Sequence, residues 1–234
     1  MPARKNIRTS NQDFEDMHSL AIIKVRVQHG MCHEELSVHR SILCQTSGYM
    51  KERLKSSTVK ETSIRVSYPH NFGLYVNWLY TGLLCTIDES LVGYDNEYDE
   101  LIESYILGIK LKDSTFCNAV ISAIFEKVED EEYGGLPRDE DLDLAFTPKP
   151  GISEDNLSPM RDALVEVFAR APDSHKVDMV IKQKRLNRDF VRDLVKRLLE
   201  LRNSSELSVC DFHLHDDGKD CSQEEPARKR RRQD

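Results

Sequence analysis

The first regular pattern along the chain is an alternation. In Ala21-Ile-Ile-Lys-Val-Arg-Val27, the residues Ile23, Val25 and Val27 fall on one side, and Lys24 and Arg26 fall on the other. Successive strand side chains point to opposite faces, so this run predicts a half-buried strand. His29-Gly30 reads as a turn. Glu35-Leu-Ser-Val-His39 resumes the alternation, which makes the pair a β-hairpin. Arg40 to Gln45 is a short helical piece. Ser47 can cap a second one, Gly48 to Leu54, by accepting from the exposed amides of its first turn. A polar stretch, 55–62, leads to a third short strand, Ser63 to Ser67.

Beyond Pro69 the period changes to that of a helix. Phe72, Val76 and Leu79, with Tyr75 and Trp78, share helical spacing, and Thr81-Gly82 supplies a stop. Asn96 can open the next helix, whose face carries Leu101, Tyr105 and Ile109. Asp113 can cap another, with Phe116, Val120 and Ile124 on one face. Residues 131–157 combine glycines, prolines and acids, and predict an acidic linker. Ser158-Pro159 has the form of an N-cap followed by an N1 proline. Asn187 can cap a last helix, with Phe190, Leu194 and Leu198 on one stripe and Val191, Val195 and Leu201 on the adjacent one. The expected organisation is a flexible start (1–18), a core domain (19–130), the linker (131–157), a helical extension (158–203) and a disordered tail (204–234).

Composition narrows the class. Of 234 residues 32% are charged and 39% hydrophobic, and the mean hydropathy is −0.55. No apolar run is long enough to span a bilayer, and Met1 to Gln12 lacks the apolar core of a secretory signal, so no membrane partner is expected. A net charge of −8 argues against sequence-specific nucleic-acid binding, which needs clustered cations. The six cysteines, at 32, 44, 85, 117, 210 and 221, form no C-x-x-C pair. Four lie in apolar segments, which predicts buried reduced thiols in cytosol or nucleus.

Several residue runs match one family. Leu36-Ser-Val-His39, then Ile42-Leu43, then Ser47-Gly-Tyr49 resembles the strand-to-helix signature of the BTB/POZ domain. Tyr75-Val-Asn-Trp-Leu-Tyr-Thr-Gly82 resembles the end of that family's third helix, in a form similar to BTB proteins of filamentous fungi. Leu107-Gly-Ile-Lys-Leu111 resembles the segment between its last helix pair. The likeness covers roughly residues 19–130. It implies an α+β fold, a small sheet over helical hairpins, with His39, Trp78, Tyr80 and Gly82 in structural roles. The expected function is non-enzymatic protein–protein interaction, as a nuclear scaffold or regulatory adaptor, by self-association or through other proteins. The chain departs from the family in having Ser19-Leu20-Ala21 where many members place an Asp. Residues 1–18 are also too short and polar for the long helix of the strand-swapped animal dimers.

Val59-Lys60-Glu61 has the apolar-x-Glu pattern of cullin-binding members. With Tyr49 and Met50 it forms the expected partner-binding set, and the alternative function is a substrate adaptor of a cullin ubiquitin ligase. Against that alternative, the chain has no recognisable substrate-binding domain. The run Arg228, Lys229, Arg230, Arg231, Arg232 reads as a nuclear localisation signal for an importin. Two groups are candidates for metal binding: His39 with Cys32, His33 and Cys44, and the tail set Cys210, His213, His215 and Cys221. Neither has the spacing of a zinc site, and no cofactor is expected. The acids from Asp139 to Asp143 read as a solvated run, and no nucleophile–base constellation is present.

Overall fold

A computed structural model describes residues 21–87, 96–130, 135–171 and 186–201. The expected N-terminal segment and the tail, including the basic run and the Cys210 to Cys221 set, lie outside them. The described residues form a mixed α+β structure with one three-stranded sheet and eight helices. Strands β1 (Ile22–His29) and β2 (Cys32–His39) pair antiparallel, with Val25 opposite Leu36 and His29 opposite Cys32. The two-residue turn between them needs a positive φ, and Gly30 supplies it at +55°. Strand β3 (Glu61–Arg65) lies parallel to β1, two residues earlier than the pattern predicts, so the order is β2-β1-β3. Central β1 buries Ile23, Val25 and Val27 completely or nearly so, as their alternation requires.

Between β2 and β3 lie α1 (Arg40–Thr46) and α2 (Gly48–Arg53). Helix α3 (Pro69–Thr81) starts on proline and ends at Gly82, whose φ of +71° lets its amide return to the Trp78 carbonyl at 2.7 Å. Helices α4 (Glu97–Leu111) and α5 (Ser114–Glu129) form an antiparallel hairpin. The run Leu101 to Gly108 is buried on every side, which makes α4 the central helix, packed by α3, α5 and the two helices that follow. Asn96 stands at its N-cap but its side chain makes no capping bond.

The acidic stretch is not a bare linker. Within 131–157, Asp139–Phe146 forms helix α6, and Leu142, Ala145 and Phe146 are buried against the core. Three acids in the first turn favour that helix through its N-terminal dipole. Asp141 is not solvated either. It is buried, and its carboxylate accepts from the Arg138 amide at 2.8 Å and from the Arg138 guanidinium at 3.1 Å. Helix α7 (Glu154–Ala169) begins before the Ser158-Pro159 pair, because Leu157 and Met160 both pack inward, so Pro159 lies inside the helix. Helix α8 (Arg188–Leu201) is opened by Asn187, whose Oδ1 accepts from the amides of Asp189 and Phe190 at 3.0 and 3.4 Å. Phe190 docks edge-on to Phe146 and Phe168, joining α8 to α6 and α7. Of the four described cysteines only Cys117 is buried. Cys44 is half-buried, and Cys32 and Cys85 are exposed at segment ends.

The crossing of α4 and α5 is close enough to exclude a side chain at Gly108. A Cβ there would lie 2.6 Å from Cys117 Sγ and 3.1 Å from a Phe116 ring carbon. Gly108→Ala is expected to lower stability by about 1–3 kcal/mol. Adding Cys117→Ala should recover part of that loss, with a favourable coupling of about 0.5 kcal/mol or more. Urea unfolding of the two single variants and the double variant checks this, and strict additivity would contradict the packing.

Candidate interaction surface

The expected partner-binding residues lie on α2 and on the loop and strand beyond it. Helix α2 is placed by its first residues. Ser47 Oγ accepts from the Met50 amide at 3.1 Å and donates to the Leu111 carbonyl at 2.8 Å, and the Gly48 amide donates to the Lys112 carbonyl at 3.1 Å. Just before them, Thr46 Oγ1 donates to Asp113 Oδ2 at 2.5 Å. The amino end of α2 is thereby fixed to the turn between α4 and α5.

This orientation divides the predicted set. Met50 points inward and is fully buried, so it cannot serve as a surface anchor as expected. Tyr49 and Arg53, four residues apart, share the outer face, and the Arg53 guanidinium stacks 5.4 Å from the Tyr49 ring centre. Arg53 Nε also donates to Thr62 Oγ1 at 3.0 Å, which links α2 to β3. Val59 and Tyr49 are both half-buried against the core, Tyr49 with Arg53 beside its ring, while Lys60 and Glu61 are exposed. The loop before them is tied down. Arg40 Nη2 donates to the carbonyls of Leu54 and Ser56, the Val59 amide returns to Ser56, and the Lys24 amide bonds the Lys60 carbonyl at 3.0 Å. Glu61 stands opposite Lys24 in the parallel register. The surface the structure brings together is therefore Tyr49, Arg53, Lys60, Glu61 and Thr62.

The expected structural residues sit at joints. His39 Nδ1 lies 2.7 Å from Tyr80 Oη, which also accepts from the His39 amide at 3.1 Å. The imidazole thus ties the end of the hairpin to the end of α3 and makes no capping bond to α1. Trp78 is half-buried rather than a core residue. Its ring lies 5.0 Å from Phe116 and stacks on Tyr75, and both of those rings are fully buried. Cys32 and His33 lie at the turn end of β2 and His39 at its far end, about 20 Å apart by strand rise. Among the described residues no group of three or more His, Cys, Asp or Glu could hold a metal ion.

A groove of about 380 Å³ runs between α3 and α5, lined in part by Trp78, Leu83, Ile87, Ala119 and Ala123. At one side Lys127 and Glu97 form a largely buried pair at 2.8 Å. Thr86 donates to the same carboxylate, and the Tyr98 ring lies under the ammonium. These polar groups are engaged with one another and brace α4 against α5. The chain matches no family model, and no curated protein matches it significantly by sequence. Among the described residues no helix is long and apolar enough to cross a membrane.

Sequence reading identified Asp113 as a cap, and the structure bears this out with Phe116 N at 3.0 Å. Its second role, accepting from Thr46 and from Tyr75 Oη at 2.9 Å, joins residues far apart in sequence and leaves no local signal. Burial, reinforced by the Asp113 charge, pushes the Tyr75 phenol well above its usual range, and burial does the same to Tyr105. The folded protein keeps both protons at a pH where the unfolded chain loses them. That stability is fully present below about pH 10 and is lost as pH rises beyond it. Each retained proton should contribute a fall of up to about 1.4 kcal/mol per pH unit. Replacing Tyr75 and Tyr105 by Phe should flatten that alkaline fall in urea midpoints compared at pH 8 and above pH 10. An unchanged slope would contradict the assignment.

Proposed function

We propose that the protein is a non-enzymatic protein–protein interaction module of the BTB/POZ type, acting in the nucleus as a scaffold or regulatory adaptor. The observation that carries this reading is where the motif residues lie. His39 with Tyr80, Ser47 with Leu111 and Gly82 beyond Trp78 stand at joints between elements, and only Trp78 and Gly82 of these border the groove between α3 and α5. A sequence signature spent on joints supports a reading in which the motif residues hold the fold and the exposed surfaces do the work. The small three-stranded sheet and the helices that follow it are compatible with the α+β class the resemblance implies. The face of Tyr49, Arg53, Lys60 and Glu61 is a rigid, mixed aromatic and charged surface of the kind that serves as an interface.

The test exploits the exposed pair. Lys60→Glu with Glu61→Lys reverses two surface charges and should leave the thermal midpoint within the equivalent of about 0.5 kcal/mol. Quantitative affinity purification should show at least one stoichiometric partner lost from the variant but retained by wild type. A partner set identical in both would contradict this surface. A cullin among the lost proteins would make the protein a ligase adaptor, and a second copy of the chain would make it a self-assembling scaffold.

The basic run Arg228 to Arg232 supports nuclear import. Replacing these five residues with alanine, in a fluorescent fusion too large to diffuse through the nuclear pore, should move it to the cytoplasm. Undiminished nuclear enrichment would refute that signal.

A further inference from the structure

Helix α8 uses only half of its apolar surface. Phe190 and Leu194 are buried against α6 and α7, and Glu166, itself buried, holds the helix in that orientation by pairing with both Arg170 and Arg197. The rest of the stripe faces outward. Val191, Val195, Leu198 and Leu199 are 37, 50, 48 and 58% exposed over about two turns. A contiguous apolar face of this kind calls for a covering partner. Arg188, Arg192 and Lys196 lie at successive i+4 positions beside the stripe. Arg192 pairs with Asp189 and Asp193 and Lys196 with Asp193, so the three cations exceed the two acids and leave the rim an excess of positive charge.

That excess charge, together with the length of chain that follows the helix, chooses between occupants. An antiparallel pairing with a second copy would set the two cationic rims against each other. A parallel pairing would direct each rim to the edge that α7 already covers. The face instead fits a segment that is apolar and acidic, and the chain carries one immediately after the helix. Glu206-Leu-Ser-Val-Cys-Asp-Phe-His-Leu-His-Asp-Asp217 offers Leu207, Val209, Phe212 and Leu214 among Glu206, Asp211, Asp216 and Asp217. The stripe from 191 to 199 is about 12 Å long by helical rise. Eight residues, 207–214, span up to about 23 Å when extended, so the segment can turn back after Leu201 and cover it. We propose that residues 206–217 dock on the exposed face of α8 within the same molecule, Phe212 and Leu214 meeting the apolar stripe and the acids meeting Arg188, Arg192 and Lys196. This inference is independent of the interaction-module reading.

Cys210 makes the contact measurable in the full chain. Val195→Cys puts a thiol on the stripe, and Glu200→Cys puts one on the opposite face of the same helix, closer to Cys210 in sequence. Tethering alone therefore favours the second site, and docking favours the first. Under mild oxidation, peptide mapping should find the intramolecular link to Cys210 at least about tenfold more abundant from Val195→Cys. Adding Phe212→Asp and Leu214→Asp should erase that preference. In the otherwise native chain the same pair of changes should speed amide exchange in α8. Equal linking from both sites, a predominance of intermolecular links, or a preference that survives the aspartates would each overturn the proposal.

Discussion

The constraint on which the rest of the structure leans is the carboxylate of Asp113. It is almost completely buried, and among the described residues no cation pairs with it. Its charge is met instead by three donors, Thr46 Oγ1, Tyr75 Oη and the Phe116 amide, together with the amino end of α5. A buried charge short of its donors is costly, so these groups must arrive together. Thr46 ends α1, Tyr75 lies on α3 and Phe116 opens α5. One carboxylate thereby sets the relative placement of three helices. The neighbouring bonds from Ser47 and Gly48 to Leu111 and Lys112 extend the same lock to α2 and α4. Lys112 contributes by adopting a left-handed conformation at φ 52°, which turns the chain at the end of α4.

A second polar lock does for the carboxyl-terminal helices what Asp113 does for the sheet end. Glu166 on α7 is buried and bonded by Arg170 of its own helix and Arg197 of α8. Hydrophobic burial alone would not orient α8, because its apolar arc is wide enough to pack in more than one rotation. The Glu166–Arg197 contact selects the rotation that buries Phe190 and Leu194 and leaves Val191 and Val195 outside. The open stripe follows from that ionic contact together with the seat of Phe190 between Phe146 and Phe168.

What the sequence made legible was local. The alternation of Ile23, Val25 and Val27, the caps at Ser47, Asp113 and Asn187 and the stop at Gly82 all appear in the structure, because each depends on neighbours a few residues away. The misreadings have a common cause. In 131–157, prolines and acids dominate the composition and hide the i, i+3, i+4 spacing of Leu142, Ala145 and Phe146, so α6 read as a linker. Ser158-Pro159 looks like a helix start, yet the burial of Leu157 outweighs the local rule. Tyr49 and Met50 are adjacent and both apolar enough to anchor a partner. Only the tie of Ser47 to Leu111 decides which of them faces the core. The parallel pairing of β3 with β1 spans too much chain to leave a sequence pattern.

These two locks bear on how such a fold can present surfaces. Association costs entropy for every group that must be ordered on binding, so a surface held rigid beforehand binds more tightly for the same contacts. Tyr49 and Arg53 stand on a helix whose amino end is fixed by three bonds to the α4–α5 turn, and Lys60 and Glu61 follow a loop held by Arg40. The outward stripe of α8 is held the same way, through Glu166. The buried polar groups of this protein lie beneath its exposed faces and fix their geometry. Altering Asp113 or Glu166 would therefore reach those faces through the positions of α2 and α8, while touching no surface residue.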